Sequence, residues 1–155
     1  MAARHSVTLL ITAGSRQMVD IVARRIHASQ FTGVAPFVGL KAGSFPRDAE
    51  QLRTHLVKQL HAAAGGSLLI TDVEEMSSAA QLTFASILRE GSLGHPAAVR
   101  LIAGTTVSLL ERVNAGYFLE ELFYRLNLIH LVIAPDETPT DADRPSRRKW
   151  ASITA

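Results

Sequence analysis

The chain has 155 residues, of which 47% are hydrophobic and 19% are charged, a balance that predicts one compact domain with a sizeable core. Its 16 basic and 14 acidic residues give a formal charge of +2, and such a weak field does not predict nucleic-acid binding. There is no cysteine, which excludes disulfides, thiolate metal sites and a cysteine nucleophile.

The longest apolar runs, residues 7–11 and 128–134, are far shorter than the roughly 20 residues that a membrane span requires. The apolar stretch after the first five residues is also too short for a secretory signal peptide. We therefore expect a cytoplasmic protein that makes no contact with a membrane.

Short apolar runs recur along the chain, and each is bounded by turn residues. Because they are continuous rather than alternating, they predict strands buried on both faces, as in a parallel sheet covered by helices. The five predicted strands are residues 7–12, 36–40, 67–72, 99–104 and 128–134.

The segments between these runs have helical periodicity. Asp48 is placed to cap a helix that carries Leu52 and Leu56 on one stripe. Ser78 and Gln81 are spaced as a capping box for a later helix, with Gly91 as its stop. Strands that alternate with helices predict an α/β sandwich of three layers around a five-stranded parallel sheet.

A change of character at residue 135 divides the chain into a domain, residues 1–134, and a polar, basic C-terminal tail, residues 135–155. The tail has a basic cluster beside Trp150, which we expect to be solvated rather than bound to DNA. The cluster comprises Arg144, Arg147, Arg148 and Lys149.

Residues 119–127, Leu-Glu-Glu-Leu-Phe-Tyr-Arg-Leu-Asn, resemble the motif F-R-E-D-L-Y-Y-R-L-N of the AAA+ domain of sigma-54 dependent transcription activators. Other stretches match the same family in the same order. Residues 10–12 and 22–27 are similar to L-I-T and V-A-R-A-I-H, residues 65–68 to G-G-T-L, and residues 99–103 to V-R-V-I-A.

The resemblance implies the AAA+ P-loop NTPase fold, a subunit that forms rings, ATP at subunit interfaces, and remodelling of sigma-54 RNA polymerase through a projecting G-A-F-T-G-A loop. Residues 41–64, between the second and third strands, leave no room for that loop. We expect the chain to lack the helical lid and the DNA-binding domain that follow in the family.

The resemblance places the phosphate-binding loop at residues 13–19. Such a loop uses glycines so that backbone N–H groups wrap the phosphates, and a lysine for their charge. Gly14 and Ser15 remain and Arg16 is the nearby cation, but Val19 stands at the lysine position. We therefore expect no ordinary ATP binding, and no bound ATP or Mg unless this degenerate site is still occupied.

The other nucleotide-contacting positions of the family are also substituted. Its aspartate and glutamate at the end of the third strand fall on Thr71 and Asp72, and Thr106 stands at its sensor asparagine. Of its two interface arginines only Arg125 persists. Arg125 is expected either to pair with Glu121, four positions earlier on a helix, or to contact a neighbouring subunit.

The remaining sequence features predict no catalytic residue and no metal site. The six histidines lie at positions 5, 27, 55, 61, 95 and 130, in no metal-binding motif. Ser15 stands in no Gly-x-Ser-x-Gly elbow of a hydrolase.

We therefore expect a non-catalytic regulatory module of bacterial transcription, or the central domain of a response-regulator-like protein, acting through protein contacts. The partner would be an active AAA+ activator, the transcription machinery or a second copy. The alternative is a weak ATP-binding domain that uses Arg16, Asp72 and Arg125 in altered roles.

Overall fold

The computed structural model describes residues 8–31, 33–90 and 99–134, together with the backbone of residues 152–154. The strands are β1 Leu9–Thr12, β2 Phe37–Lys41, β3 Ser67–Thr71, β4 Arg100–Thr105, β5 Ile129–Val132 and β6 Ser152–Thr154. The helices are α1 Arg16–Gln30, α2 Ala49–Ala62, α3 Ser78–Glu90, α4 Leu109–Asn114 and α5 Glu120–Leu126. Short 3-10 helices follow β2 at Ala42–Ser44 and β3 at Val73–Glu75.

The strands form one sheet in the order β2-β3-β4-β1-β5-β6. The five strands from β2 to β5 in this order are parallel to one another, which confirms the predicted five-stranded parallel sheet. A sixth strand, β6, pairs antiparallel with β5. Residues 152–154 fall within the predicted tail, and a strand of three residues is too short to give a periodic signal in the sequence.

Helices cover both faces of the sheet, as the continuous apolar strands predict. All five residues of β3 are buried, and they alternate between the two cores. Leu68 and Ile70 pack into the larger core, with helices α2, α3, α4 and α5. Leu69 packs into the smaller core, beneath α1. The result is the predicted sandwich of three layers.

Helix starts follow the capping residues of the sequence, with one correction. Asp48 caps α2, since its Oδ2 accepts the Gln51 N–H at 2.9 Å. Helix α3 is capped by Ser77 rather than Ser78, because Ser77 Oγ accepts the Ala80 N–H at 3.1 Å. The capping-box prediction was therefore one residue out, since adjacent serines have the same capping chemistry.

Gln81 does not complete a capping box. Its amide instead ties α3 to the segment before α5, donating to the carbonyls of Met76 at 3.0 Å and Tyr117 at 3.3 Å and accepting the Leu119 N–H at 2.7 Å. Because Gln81 is buried, these bonds satisfy an amide that would otherwise be costly to desolvate. Gly91 and the basic cluster beside Trp150 lie outside the described residues.

Within the part of the chain that the structure describes, no helix is both long enough and apolar enough to cross a membrane.

Candidate functional site

The predicted phosphate-loop residues lie at the carboxyl edge of the sheet, where β3, β4 and β1 are neighbours. Ligand-binding groups of open parallel sheets collect at this edge. The turn between β1 and α1, residues 13–15, is attached to β4 by a hydrogen bond of 3.2 Å from the Ala13 N–H to the Thr105 carbonyl. The turn, β3 and β4 therefore present their end residues to one another.

Helix α1 begins at Arg16, so the second half of the predicted loop is already helical. Ser15 Oγ accepts the Met18 N–H at 3.1 Å, and the Ser15 carbonyl accepts the Val19 N–H at 3.1 Å. A phosphate loop needs such N–H groups to face its ligand. Here two of them are bonded to Ser15, and the turn is a capped helix start with Gly14 and Ser15 exposed.

Val19 is directed into the core beneath α1. It is 1% exposed and packs in the same cluster as Leu69 and Ile102. Directly below it lies Gly104 of β4, where an added Cβ would overlap Val19 Cγ1. The residue at the family's lysine position therefore fixes α1 on the sheet and contributes no charge to the edge.

Arg16 and Asp72 form a salt bridge across this edge. Arg16 Nε donates to Asp72 Oδ2 at 2.7 Å, and the two side chains are 53% and 7% exposed. Asp72 follows β3 in a left-handed backbone conformation, with φ 56° and ψ 47°. The cation of the turn and the carboxylate after β3 thus neutralise each other.

A second contact at this edge joins β4 to the 3-10 helix after β3. Thr105, which is fully buried, donates its hydroxyl to Glu74 Oε1 at 2.6 Å and accepts the Val107 N–H at 3.2 Å. Thr106, at the sensor position, is exposed. Carboxylate oxygens of Asp72, Glu74 and Glu75 lie within 4.8 Å of one another, and among the described residues this is the single such cluster.

Arg125 lies on α5 and bonds to Glu121, as the four-residue spacing predicts. Arg125 Nε is 3.2 Å from Glu121 Oε2, and the two side chains are 38% and 40% exposed. Glu121 also accepts two hydrogen bonds from Arg89, at 2.9 and 3.1 Å. Hydrogen bonds from Arg89 lower the pKa of the Glu121 carboxyl, and Arg125 adds to that effect.

A sequence model of the sigma-54 interaction domain matches residues 38–132 of the chain. The chain belongs to the sigma-54 interaction domain family. This confirms the resemblance drawn from residues 119–127 and from the strand motifs.

Curated relatives of this sigma-54 interaction domain are transcriptional regulators. The DNA-binding transcriptional regulator NtrC of Proteus hauseri is 30% identical over 95% of this chain and 35% of NtrC. The HTH-type transcriptional regulatory protein TyrR of Enterobacter agglomerans is 31% identical over 86% of this chain and 29% of TyrR. The chain thus spans about a third of the length of these relatives.

Solved structures confirm the α/β P-loop NTPase fold of this sigma-54 interaction domain. NtrX from Brucella abortus, in complex with ATP, aligns with a TM-score of 0.66 and 23% identity, covering 84% of this chain and 33% of NtrX. The P-loop NTPase domain of a sigma-54 transport activator from E. coli aligns with a TM-score of 0.54 and 18% identity, covering 84% of this chain and 92% of that domain.

Of the site residues that the sequence predicts, the structure joins Arg16 to Asp72 and places Gly14 and Ser15 at the same turn, while Arg125 lies apart on α5. The bond between Thr105 and Glu74 was not predicted from the sequence. A buried threonine that ends a strand needs a hydrogen-bond partner for its hydroxyl, so Thr105 itself was the sequence signal for such a bond.

Proposed function

We propose that this sigma-54 interaction domain acts in transcription regulation through protein contacts, without an ATP hydrolysis cycle. The observation that carries the proposal is Val19, buried against Gly104 in a helix that already begins at Arg16. The relatives NtrC and TyrR, both transcriptional regulators by name, support the regulatory role.

A triphosphate at this turn would lack the contacts that usually hold it. Hydrogen bonds to a charged group contribute about 1.5–3 kcal/mol each, and Val19 offers none. To free N–H groups for phosphate, the first turn of α1 would have to unwind and lose the Ser15 cap, which costs about 1 kcal/mol. Arg16 would also have to leave Asp72, a carboxylate that is almost fully buried.

The residues after β3 do not fit an ATP-bound magnesium ion either. Thr71 stands at the family's first carboxylate position and donates its hydroxyl to the Leu40 carbonyl at 3.3 Å. Asp72, at the second position, is bonded to Arg16. The matched residues of the family begin at 38, within β2, and so leave out the turn between β1 and α1.

The first prediction is that ATP with magnesium does not bind at micromolar concentrations. Isothermal titration calorimetry should give no saturable heat, and millimolar ATP should leave the melting temperature unchanged, because a ligand at 100 times its Kd would add about 2.7 kcal/mol of stability. NtrX from Brucella abortus, which is known in complex with ATP, is the positive control. Saturable micromolar binding that Asp72→Ala abolishes would instead favour the weak ATP-binding alternative.

A protein-contact surface is supported by exposed apolar side chains between α4 and β5. Leu110, Tyr117 and Tyr124 are 50%, 71% and 59% exposed, respectively. Tyrosines exposed in this way are enriched at protein interfaces. Arg125 lies next to Tyr124, and it can leave Glu121 while Glu121 keeps its two bonds to Arg89. These features support contact with an active AAA+ activator, the transcription machinery or a second copy.

The second prediction concerns the exposed apolar surface formed by side chains between positions 110 and 128. If a second copy binds there, sedimentation velocity should show dimers or larger species at micromolar protein, and Tyr117→Ser with Tyr124→Ser should return them to monomers. Leu82→Ser is the matched control, because Leu82 is equally exposed, at 59%, on α3. Equal loss of self-association in the control would show that this surface is not the one that binds a second copy. A monomer at all concentrations would exclude the second copy and leave an active AAA+ activator or the transcription machinery as the partner.

A further inference from the structure

A cleft of about 430 Å³ lies between α1 and the edge strand β2. One wall comes from α1, and the floor comes from the neighbouring strands β2 and β3. The lining residues are Arg16, Gln17, Asp20, Gly39, Leu40, Lys41, Leu69 and Thr71. This volume falls within the range of small-molecule sites, which hold ligands in clefts of roughly 300–1,000 Å³.

The floor of the cleft is open because of a glycine. Gly39 pairs in register with Leu69 of β3, whose side chain packs in the core beneath α1. Residues paired directly across a parallel sheet present their side chains to the same face, so Gly39 also faces α1. A Cβ built at Gly39 would meet no atom within 4 Å. The missing side chain leaves the backbone of β2 bare at this point, beside Leu69, which is buried in the core.

Two cations with unused donors border this apolar floor. Arg16 bonds to Asp72 through Nε, which leaves its terminal N–H groups free of partners among the described residues. Lys41, at the exposed end of β2, likewise forms no ion pair with a described residue. Asp20, the acidic group of the cleft, is already paired with Arg24 at 3.0 Å. With Arg16 paired to Asp72 and Asp20 paired to Arg24, Lys41 gives the cleft a net positive charge, and Arg16 adds its terminal N–H donors.

We propose that this cleft binds a small organic anion, with an apolar ring or chain over the bare backbone at Gly39 and a phosphate or carboxylate between Arg16 and Lys41. The charge of the cleft selects the anionic group, since charge-assisted hydrogen bonds to guanidinium are the strong ones. The bare floor selects a flat apolar body. The site makes no use of the turn at residues 13–15, and its anion contacts come from Arg16 and Lys41.

The test uses phenyl phosphate as the probe and benzyl alcohol as its neutral counterpart, with binding followed by amide chemical shifts of the ¹⁵N-labelled chain. Phenyl phosphate should shift the amides of β2 and the start of α1 in a saturable manner, and benzyl alcohol should bind at least tenfold more weakly. Inorganic phosphate separates the contribution of the anion from that of the ring.

Two variants make the test specific. Gly39→Val fills the floor without a clash, since nothing lies within 4 Å and valine suits a strand, and it should reduce affinity at least tenfold. Lys41→Gln should do the same for phenyl phosphate but leave benzyl alcohol unchanged. Lys58→Gln, on the exposed side of α2, is the matched control and should bind as the unmodified chain does.

The proposal is overturned if phenyl phosphate gives no saturable shifts, or if Gly39→Val binds it as well as the unmodified chain. The outcome is separable from that of the ATP titration. ATP bound through the turn would shift the amides of residues 13–15 and would still bind Gly39→Val, whereas binding of phenyl phosphate in the cleft would be weakened in that variant.

Discussion

Asp72 occupies a backbone conformation that most side chains avoid. Its φ of 56° makes it the one residue other than glycine with positive φ among those described. Asparagine, aspartate and glycine enter this region far more readily than alanine, for which it costs roughly 1–2 kcal/mol. The backbone at Asp72 is therefore strained in the conformation that brings its carboxylate to the Arg16 guanidinium at the sheet edge.

The third prediction separates that strain from the salt bridge. Asp72→Asn and Asp72→Ala both remove the charge, but only asparagine suits the left-handed backbone. We expect Asp72→Ala to be less stable than Asp72→Asn by about 1 kcal/mol in urea unfolding. Equal stability of the two variants would contradict strain at this position.

Arg16→Ala supplies the control for the salt bridge itself. In the unmodified chain it removes the partner of a buried carboxylate and should destabilise by about 1 kcal/mol, because Arg16 is half exposed and its charge is screened. In the Asp72→Asn background it should have almost no effect, and an unchanged cost there would show that Arg16 stabilises the fold in some other way.

At the scale of elements, the contact of Val19 with Gly104 fixes how closely α1 approaches β4. A methyl group at position 104 would overlap Val19 Cγ1. Helix and strand are therefore matched at one point, where a small residue on the sheet receives a branched one from the helix.

The fourth prediction tests this match with a double-mutant cycle. Gly104→Ala should destabilise by roughly 1–3 kcal/mol through overpacking, and Val19→Ala by roughly 1–3 kcal/mol through lost burial. The double variant should be more stable than the sum of the two costs implies, because alanine at 19 makes room for the new methyl group. Guanidinium unfolding measures all four proteins, and strict additivity would show that the two residues do not meet.

Helix α3 shows what an isolated sequence can and cannot predict about an element. Its apolar stripe and its start were predictable to within one residue, because caps and periodicity are local. The role of Gln81 was not, because its partners at 117 and 119 lie almost forty positions away. Only the packing of α3 against the segment before α5 brings them together.

For the whole molecule, salt bridges at the C-terminal end of α3 connect three helices. Glu90 pairs with Arg53 of α2 at 3.0 Å, and Arg89 pairs with Glu121 of α5 at 2.9 Å. The hydrogen bond from Arg53 lowers the pKa of Glu90, just as Arg89 lowers that of Glu121. Arg89 and Glu90, which are adjacent on α3, thus bind α5 and α2 through side chains of opposite charge.

The fifth prediction follows from the sign of these shifts. Because both pKa values are lower in the folded chain, the two glutamates add stability that is complete above the unfolded pKa of about 4.3 and is lost as the pH falls through the folded values. Glu90→Gln with Glu121→Gln should flatten the fall in melting temperature between about pH 6 and about pH 3. About 1 M salt should reduce the fall in melting temperature of the unmodified chain. The prediction is contradicted if the melting temperatures of the double variant and the unmodified chain fall equally steeply with pH.

The same distinction between local and distant contacts explains which parts of the whole fold were predictable. The five parallel strands follow from apolar runs, and their ends lie within two residues of the prediction. The pairing of Arg16 with Asp72 depends on strand order across 56 residues, which periodicity does not specify. For the candidate site, the sequence therefore predicted which charged residues of the family are replaced, but not that the charged residues Arg16 and Asp72 pair with each other. The boundary of the domain at residue 134 stays a prediction.

The packing of Val19 on Gly104 also determines which side chains position 19 can accept. A lysine introduced at position 19 would enter an apolar contact that is 1% exposed and would destabilise the fold. The first turn of α1 would have to loosen, and Arg16 would have to release Asp72, before that lysine gained any ligand. Position 19 therefore has no room for a charged side chain as long as α1 packs on β4 in this way.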